Sequence, residues 1–140
     1  MLKRKQIEEL ITAAIQMTKR SYAPYSHFQV GAALLARDGN IYTGCNIENA
    51  AYTPTNCAER TAFFKAVSEG NREFRAIAIV GGQNGKLTDY TAPCGVCRQV
   101  MMEFCDPKEF VIIMATSQEH YMIKTLEELL PMGFGPENLS

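Results

Sequence analysis

Two short segments of the sequence carry residue types that bind metal ions. Cys57-Ala58-Glu59 and Pro93-Cys94-Gly95-Val96-Cys97 each place a cysteine where a helix is predicted to begin. The dipole and the free N–H groups of a helix N-terminus favour thiolate over thiol, and thiolate is the form that binds metals. The two segments therefore predict a cluster of metal-binding sulfur atoms.

Zinc is the metal that suits this set of ligands. Cys94 and Cys97 can both reach one ion, and Cys57 would supply a third sulfur from a second helix. Three protein ligands leave the fourth tetrahedral position for a water molecule, whose pKa zinc lowers toward about 7. Glu59 lies on the same helical turn as Cys57 at a different angle, so its carboxylate could act as a proton shuttle without being a ligand. The pattern predicts a catalytic zinc site.

Apolar periodicity and helix-breaking residues predict the elements that position these groups. Asp38-Gly39 is a hairpin signal, and it predicts that the first two strands pair in antiparallel fashion. Gly81-Gly82 is predicted to end the third strand. The predicted elements are helices over Lys3–Arg20, Cys57–Glu69, Cys94–Cys105 and Thr125–Leu130, and strands over Phe28–Ala36, Ile41–Cys45, Arg75–Val80, Phe110–Ala115 and Tyr121–Ile123.

The order of these elements predicts a single α/β domain over residues 1–140. Helices between the later strands imply a mixed sheet of five strands that is covered by helices. The tail from Gly133 to Pro136 is predicted to be irregular. No repeat, linker or low-complexity segment divides the chain.

The composition excludes several classes of protein. The 140 residues are 46% hydrophobic and 21% charged, which is typical of a folded globular protein with one core. A formal charge of −1 gives no basic surface for nucleic acid, and no apolar run approaches the roughly 20 residues that span a membrane. Five cysteines, an odd number, and an N-terminus unlike a signal peptide predict a cytoplasmic protein with free thiols.

The two cysteine segments together resemble the zinc nucleobase deaminases, in which a ligand-x-E segment is followed by P-C-x-x-C and one variant has three cysteine ligands. The resemblance extends through Tyr25–Phe28, Gly44–Ala50, Pro93–Gln99 and Phe134–Glu137, and it points to the small homotetrameric cytidine deaminases. It implies a three-layer α/β/α fold, one zinc ion per subunit, and active sites shared between subunits. It also implies a reaction of pyrimidine salvage, in which activated water attacks C4 of cytidine or deoxycytidine and ammonia leaves.

The same resemblance implies roles for single residues. Glu59 matches the residue that takes the proton of the water and delivers protons to N3 and to the leaving amine. Arg60 matches a residue that hydrogen-bonds to the zinc thiolates and offsets their excess negative charge. The substrate contacts would be Phe28 on the pyrimidine, Asn46 and Glu48 on the ribose, the backbone of Ala58 on the base, and Tyr52 and Phe134 completing the pocket of a neighbouring subunit.

Other interpretations of these residues are open at the level of sequence. Blasticidin S deaminase shares the three-cysteine arrangement, and a zinc-stabilised oligomeric binding module without activity would also need the cysteines. Editing of RNA or DNA is a third possibility, against which the net charge argues.

Cys45 and Cys105 are expected to pack in the core or an interface, although a fourth zinc ligand from Cys45 would close the open position. Arg98 and Gln99 could cap or bridge on the surface, and no catalytic role is assigned to them. His27 is expected to lie in a turn or at a strand end, and Phe134 either lines a pocket or packs into its own core.

Overall fold

The computed structural model describes all 140 residues of the chain. Each helix and strand predicted from the sequence is present, with boundaries that differ by a few residues. None of the helices has the length and apolar character that crossing a membrane requires. The elements are α1 (Arg4–Thr18), β1 (Phe28–Ala36), β2 (Ile41–Cys45), α2 (Ala58–Ser68), β3 (Phe74–Gln83), α3 (Gly95–Phe104), β4 (Val111–Ala115), β5 (Tyr121–Thr125) and α4 (Leu126–Leu129), followed by a 3₁₀ turn at Pro136–Asn138.

The five strands form one mixed sheet in the order β2-β1-β3-β4-β5. The pair β3 and β4 is parallel, whereas β1 pairs with β2 and β3, and β4 with β5, in antiparallel fashion. A parallel pair needs a long crossover connection, and α3 lies in the chain between β3 and β4. The predicted five-stranded mixed sheet is therefore confirmed.

Helices cover both faces of the sheet, which gives the three layers α/β/α. Helix α1 packs on one face through Ile7, Leu10 and Ile11, and the remaining helices pack on the other. Because successive side chains of a strand point to opposite faces, the central strands bury both of their side-chain sets. This explains their continuous apolar sequence. On the α1 face the strands contribute Ala33, Leu35, Ala76, Ala78, Val80, Ile113 and Ala115, and on the opposite face Val30, Leu34, Ile77, Ile79, Ile112 and Met114.

Helix α2 approaches the edge strand β2 closely at Gly44. A Cβ atom at Gly44 would lie 2.4 Å from the carbonyl oxygen of Ala58 and 2.6 Å from the backbone nitrogen of Ala62. Any larger residue would push the first turn of α2 away from the sheet. Gly44 thus fixes the position of that turn, on which Glu59 and Arg60 lie.

Two predictions about local structure are wrong. Strand β3 does not stop at Gly81-Gly82, because these residues pair with Val30 and Gln29 of β1. Glycine is required at position 82 by a close backbone approach, since a Cβ there would lie 1.8 Å from the carbonyl oxygen of Lys86. The tail is not wholly irregular, because Pro136–Asn138 forms a 3₁₀ turn capped by a hydrogen bond from the Gly135 N–H to Asn138 Oδ1 at 2.9 Å.

Candidate active site

The N-termini of α2 and α3 meet at the two cysteine segments. Cys57 is the N-cap of α2, Cys94 is the N-cap of α3, and Cys97 lies in the first turn of α3. The Sγ atoms of Cys57 and Cys94 are 3.7 Å apart, those of Cys94 and Cys97 are 3.5 Å apart, and all three lie within 4.8 Å of one another. Neither N-cap side chain hydrogen-bonds its own helix, so the sulfur atoms are directed at each other.

The sulfur triangle fits a zinc ion. With Zn–S distances of about 2.3 Å, a tetrahedral site has sulfur atoms about 3.8 Å apart, close to the spacing in this structure. Cys45 lies outside the triangle, because its thiol donates a hydrogen bond to the carbonyl oxygen of Arg20 at 3.4 Å. Cys105 is the C-cap of α3, at the opposite end of the helix. The site therefore offers three cysteine ligands to one ion, and Cys45 is not placed to be a fourth.

Electrostatics in the triangle favour one thiolate in particular. The pKa of Cys57 falls to about 5, chiefly because its sulfur accepts a hydrogen bond from the Cys97 thiol and also because it accepts one from Arg60. The pKa of Cys97 is raised, because its proton is held in that hydrogen bond and because the residue is buried. Since a metal binds the deprotonated form, a sulfur that is already ionised near neutral pH is a ready ligand.

Arg60 places a positive charge against the sulfur atoms from the first turn of α2. Its Nη2 donates to Cys57 Sγ at 3.2 Å, and its Nε is buried without any hydrogen-bond partner. A guanidinium is always charged and has no acceptor, so in this position it withdraws negative charge from the thiolates. The role of Arg60 toward bound zinc stays a prediction, and this hydrogen bond is the contact on which it depends.

Replacing Arg60 with alanine is expected to weaken zinc binding by about 10- to 100-fold, because outer partners of metal ligands have effects of that size. Competition for zinc with a chromophoric chelator measures the affinity. Arg72→Ala, which removes the same charge from an exposed position outside α2, is the matched control and should keep wild-type affinity. Equal zinc affinity in Arg60→Ala and the wild type would contradict this role.

Glu59 is the buried carboxyl group of the site. It is the second residue of α2, two residues after the Cys57 cap, and it is 4% exposed. Burial raises the pKa of Glu59 to about 7, and the negative charge of Cys57 adds to the rise while Arg60 opposes it. A carboxyl group that is half ionised near neutral pH can both accept and release a proton under physiological conditions.

Asn46 lies directly after β2 and is tied to the start of β1. Its Oδ1 accepts hydrogen bonds from the Val30 N–H at 2.9 Å and from the Ser21 hydroxyl, and its Nδ2 donates to the Phe28 carbonyl at 2.8 Å. The amide group has two N–H donors, and the protein provides an acceptor for one of them. The second N–H of Asn46 is therefore available to donate a hydrogen bond to another molecule.

Glu48 is held by the loop before β1. Its Oε1 accepts from the backbone N–H groups of Tyr25 and Ser26 at 2.9 and 3.1 Å, and its Oε2 accepts from the Ser26 hydroxyl. A carboxylate has about four acceptor positions, so one is left on Oε2. No role for Ser26 could be predicted from the sequence. Its partner is 22 residues away, and no local sequence pattern indicates the contact.

The aromatic residues predicted to complete a pocket are exposed. Tyr52 is 74% exposed at a positive φ of 64°, with its ring edge-on to Tyr25, and Phe134 is 58% exposed. Phe134 therefore does not pack into its own core. Gln99 Nε2 donates to the Phe134 carbonyl at 2.8 Å, and Arg98 bridges the carbonyls of Pro93 and Leu129. His27, with φ of 58°, lies in the turn before β1.

Known proteins share this arrangement of fold and sequence. A family model described as the cytidine and deoxycytidylate deaminase zinc-binding region matches residues 4–114. The curated cytidine deaminases of Sporosarcina psychrophila and Halalkalibacterium halodurans are each 49% identical to the chain, over 96% and 94% of its length and 95% and 96% of theirs. A crystal structure of cytidine deaminase from Burkholderia pseudomallei superposes with a TM-score of 0.81 at 45% identity, covering 90% of this chain and 97% of that one.

Proposed function

The chain belongs to the cytidine and deoxycytidylate deaminase family, and from that premise we propose that it is a zinc-dependent cytidine deaminase of pyrimidine salvage. It hydrolyses cytidine and deoxycytidine to uridine and deoxyuridine and releases ammonia. The observation that carries the proposal is the convergence of three cysteine sulfur atoms with one buried carboxyl group, where the N-termini of two helices meet.

The cysteines and Glu59 have separate roles in the proposed reaction. Cys57, Cys94 and Cys97 would hold the zinc ion, which would supply the Lewis acidity that makes a water molecule nucleophilic near neutral pH. Glu59 takes a proton from this water and delivers protons to N3 of the ring and to the amine that leaves as ammonia. Its burial supports this role, because a carboxyl group shielded from solvent keeps the proton within the site.

Asn46 and Glu48 bind the sugar. Asn46 has one N–H donor left and Glu48 has one acceptor position left, and a single hydroxyl group can satisfy both because it donates and accepts. One sugar hydroxyl is therefore enough for recognition, which supports the acceptance of both ribose and deoxyribose. Phe28 packs against the pyrimidine, and the backbone of Ala58 contacts the base.

We further propose a homotetramer in which Tyr52 and Phe134 complete the pocket of a neighbouring subunit. Both rings are largely exposed in the single chain, and exposed aromatic residues are typical of interfaces. A cytoplasmic location is supported by five cysteines of which none forms a disulfide bond. Light scattering on the purified protein tests the assembly, and a mass of four chains is the expected result.

A panel of substrates tests the proposed reaction against its nearest alternative. Cytidine, deoxycytidine, free cytosine and blasticidin S are each supplied to zinc-loaded protein, and ammonia release is measured. The two nucleosides should be turned over, whereas cytosine should react slowly because it offers no hydroxyl to Asn46 and Glu48. A preference for blasticidin S over both nucleosides would replace the proposal with that activity, and zinc-loaded protein inactive on all four compounds would favour a zinc-stabilised binding module.

A further inference from the structure

We propose that Ser26 is a positioning residue that orients the carboxylate of Glu48 for the sugar of the substrate. The inference rests on the function proposed above, because it takes Glu48 as the sugar-binding carboxylate. Ser26 itself does not have to touch the substrate. It acts through the hydroxyl group that joins Glu48 to the start of β1.

The Ser26 hydroxyl makes two hydrogen bonds in opposite senses. It donates to Oε2 of Glu48, and it accepts from the backbone N–H of Phe28 at 3.0 Å. The Phe28 contact fixes where the oxygen of the hydroxyl lies and leaves its proton directed at the carboxylate. One hydroxyl group thereby links the sugar-binding carboxylate to the aromatic residue proposed to pack against the base.

The segment that carries Ser26 is itself fastened to β3 and the loop after it. Gln83 Nε2 donates to the Ser26 carbonyl oxygen at 2.8 Å, and the Asn84 N–H donates to the His27 carbonyl oxygen at 2.7 Å. His27 adopts a left-handed backbone conformation with φ of 58°, which turns the chain between Ser26 and β1. The backbone is therefore held at both Ser26 and His27, which fixes the position from which the Ser26 hydroxyl reaches Glu48.

The two oxygens of Glu48 are held differently. Oε1 accepts two backbone N–H groups, which fills its acceptor positions, whereas Oε2 is held by the Ser26 hydroxyl alone. The rotation of the carboxylate about its terminal bond, and with it the direction of the free acceptor position on Oε2, is therefore controlled by Ser26. The same hydrogen bond is the largest cause of the lowered pKa of Glu48, which agrees with a close contact between the hydroxyl and the ionised carboxylate.

Steady-state kinetics of Ser26→Ala with cytidine test the inference. We expect KM to rise about tenfold, the size of a lost hydrogen bond to a charged group, while kcat stays within about twofold because zinc and Glu59 are untouched. Ser26→Thr keeps the hydroxyl and should restore a KM near that of the wild type. Ser68→Ala removes a hydroxyl that bonds the Lys65 carbonyl at the far end of α2, and as the matched control it should leave KM unchanged.

A double-mutant cycle with Glu48→Gln separates positioning from a general structural role. If Ser26 acts through Glu48, then Ser26→Ala combined with Glu48→Gln should have a KM no higher than that of Glu48→Gln alone. The inference would be overturned if the KM increase of the double variant equalled the product of the two single increases. It would also be overturned if Ser26→Ala kept a wild-type KM, or if its kcat fell without a change in KM. These outcomes presuppose turnover by the wild type, whose absence would refute the proposed function first and this inference with it.

Discussion

Glu59→Gln is expected to lower kcat for cytidine by about ten-thousandfold while the zinc content stays at the wild-type level. Glutamine has nearly the same size as glutamate and cannot take up or release a proton at neutral pH. General acid–base catalysis contributes about 10²- to 10⁴-fold, and Glu59 is assigned to several proton transfers, so the loss should reach the upper end. Initial rates from the fall in cytidine absorbance, on protein whose metal content is assayed, measure the effect.

The matched control is Glu69→Gln, at the C-cap of the same helix, where the side chain is exposed and far along α2 from the cysteines. It should leave kcat unchanged. The thermal midpoint of Glu59→Gln should not fall, because the change removes a buried ionisable group and leaves the packing intact. A zinc-loaded Glu59→Gln that keeps more than about a tenth of the wild-type kcat would contradict the assigned role.

Cys97→Ala is expected to abolish both zinc retention and turnover. The sulfur of Cys97 is one of three that join the N-termini of α2 and α3, and two remaining sulfurs do not form a zinc site. Metal binding to the folded state also stabilises it, by about 4 kcal/mol when free metal is 1,000 times the dissociation constant. For a domain of this size the thermal midpoint should fall by about 15 °C.

Metal analysis after gel filtration and calorimetric melting measure these two effects. Cys105→Ala is the matched control, since Cys105 is a partly buried thiol on the same helix outside the sulfur triangle. It should keep zinc and activity and lose only the packing of its side chain. Zinc retained by Cys97→Ala at the wild-type ratio would show that the ion is held elsewhere, and it would remove the basis of the proposed mechanism.

The metal ligands could be predicted from sequence because their signals are local. Each cysteine segment directly precedes a helix-forming run, so the position of Cys57 and Cys94 at helix N-termini follows from the chain itself. The central strands were equally predictable, since a sheet buried on both faces requires a continuous apolar sequence. Neither the cysteine segments nor the apolar strands require knowledge of contacts between residues that are distant in the chain.

Other features depend on contacts between segments that are distant in the chain. The pairing of Ser26 with Glu48 exists because β2 returns beside β1, and nothing in either segment alone indicates it. Phe134 lies between two glycines that pack tightly on side chains outside the tail, since a Cβ at Gly133 would lie 3.0 Å from Leu130 Cδ2 and a Cβ at Gly135 would lie 3.0 Å from Met102 Cε. The extension of β3 through Gly81 and Gly82 likewise follows from the register with β1, which outweighs the local tendency of glycine to end a strand.

The most direct test of zinc-dependent deamination is ammonia release from cytidine by the wild-type protein. The rate is measured on the protein as isolated, after a chelator removes the zinc, and after zinc is restored. The rate should disappear with the zinc and return when one equivalent of zinc per chain is added back. It should not return with Mg²⁺, which prefers oxygen ligands. An undiminished rate in zinc-free protein, or no ammonia from zinc-loaded protein, would contradict zinc-dependent deamination.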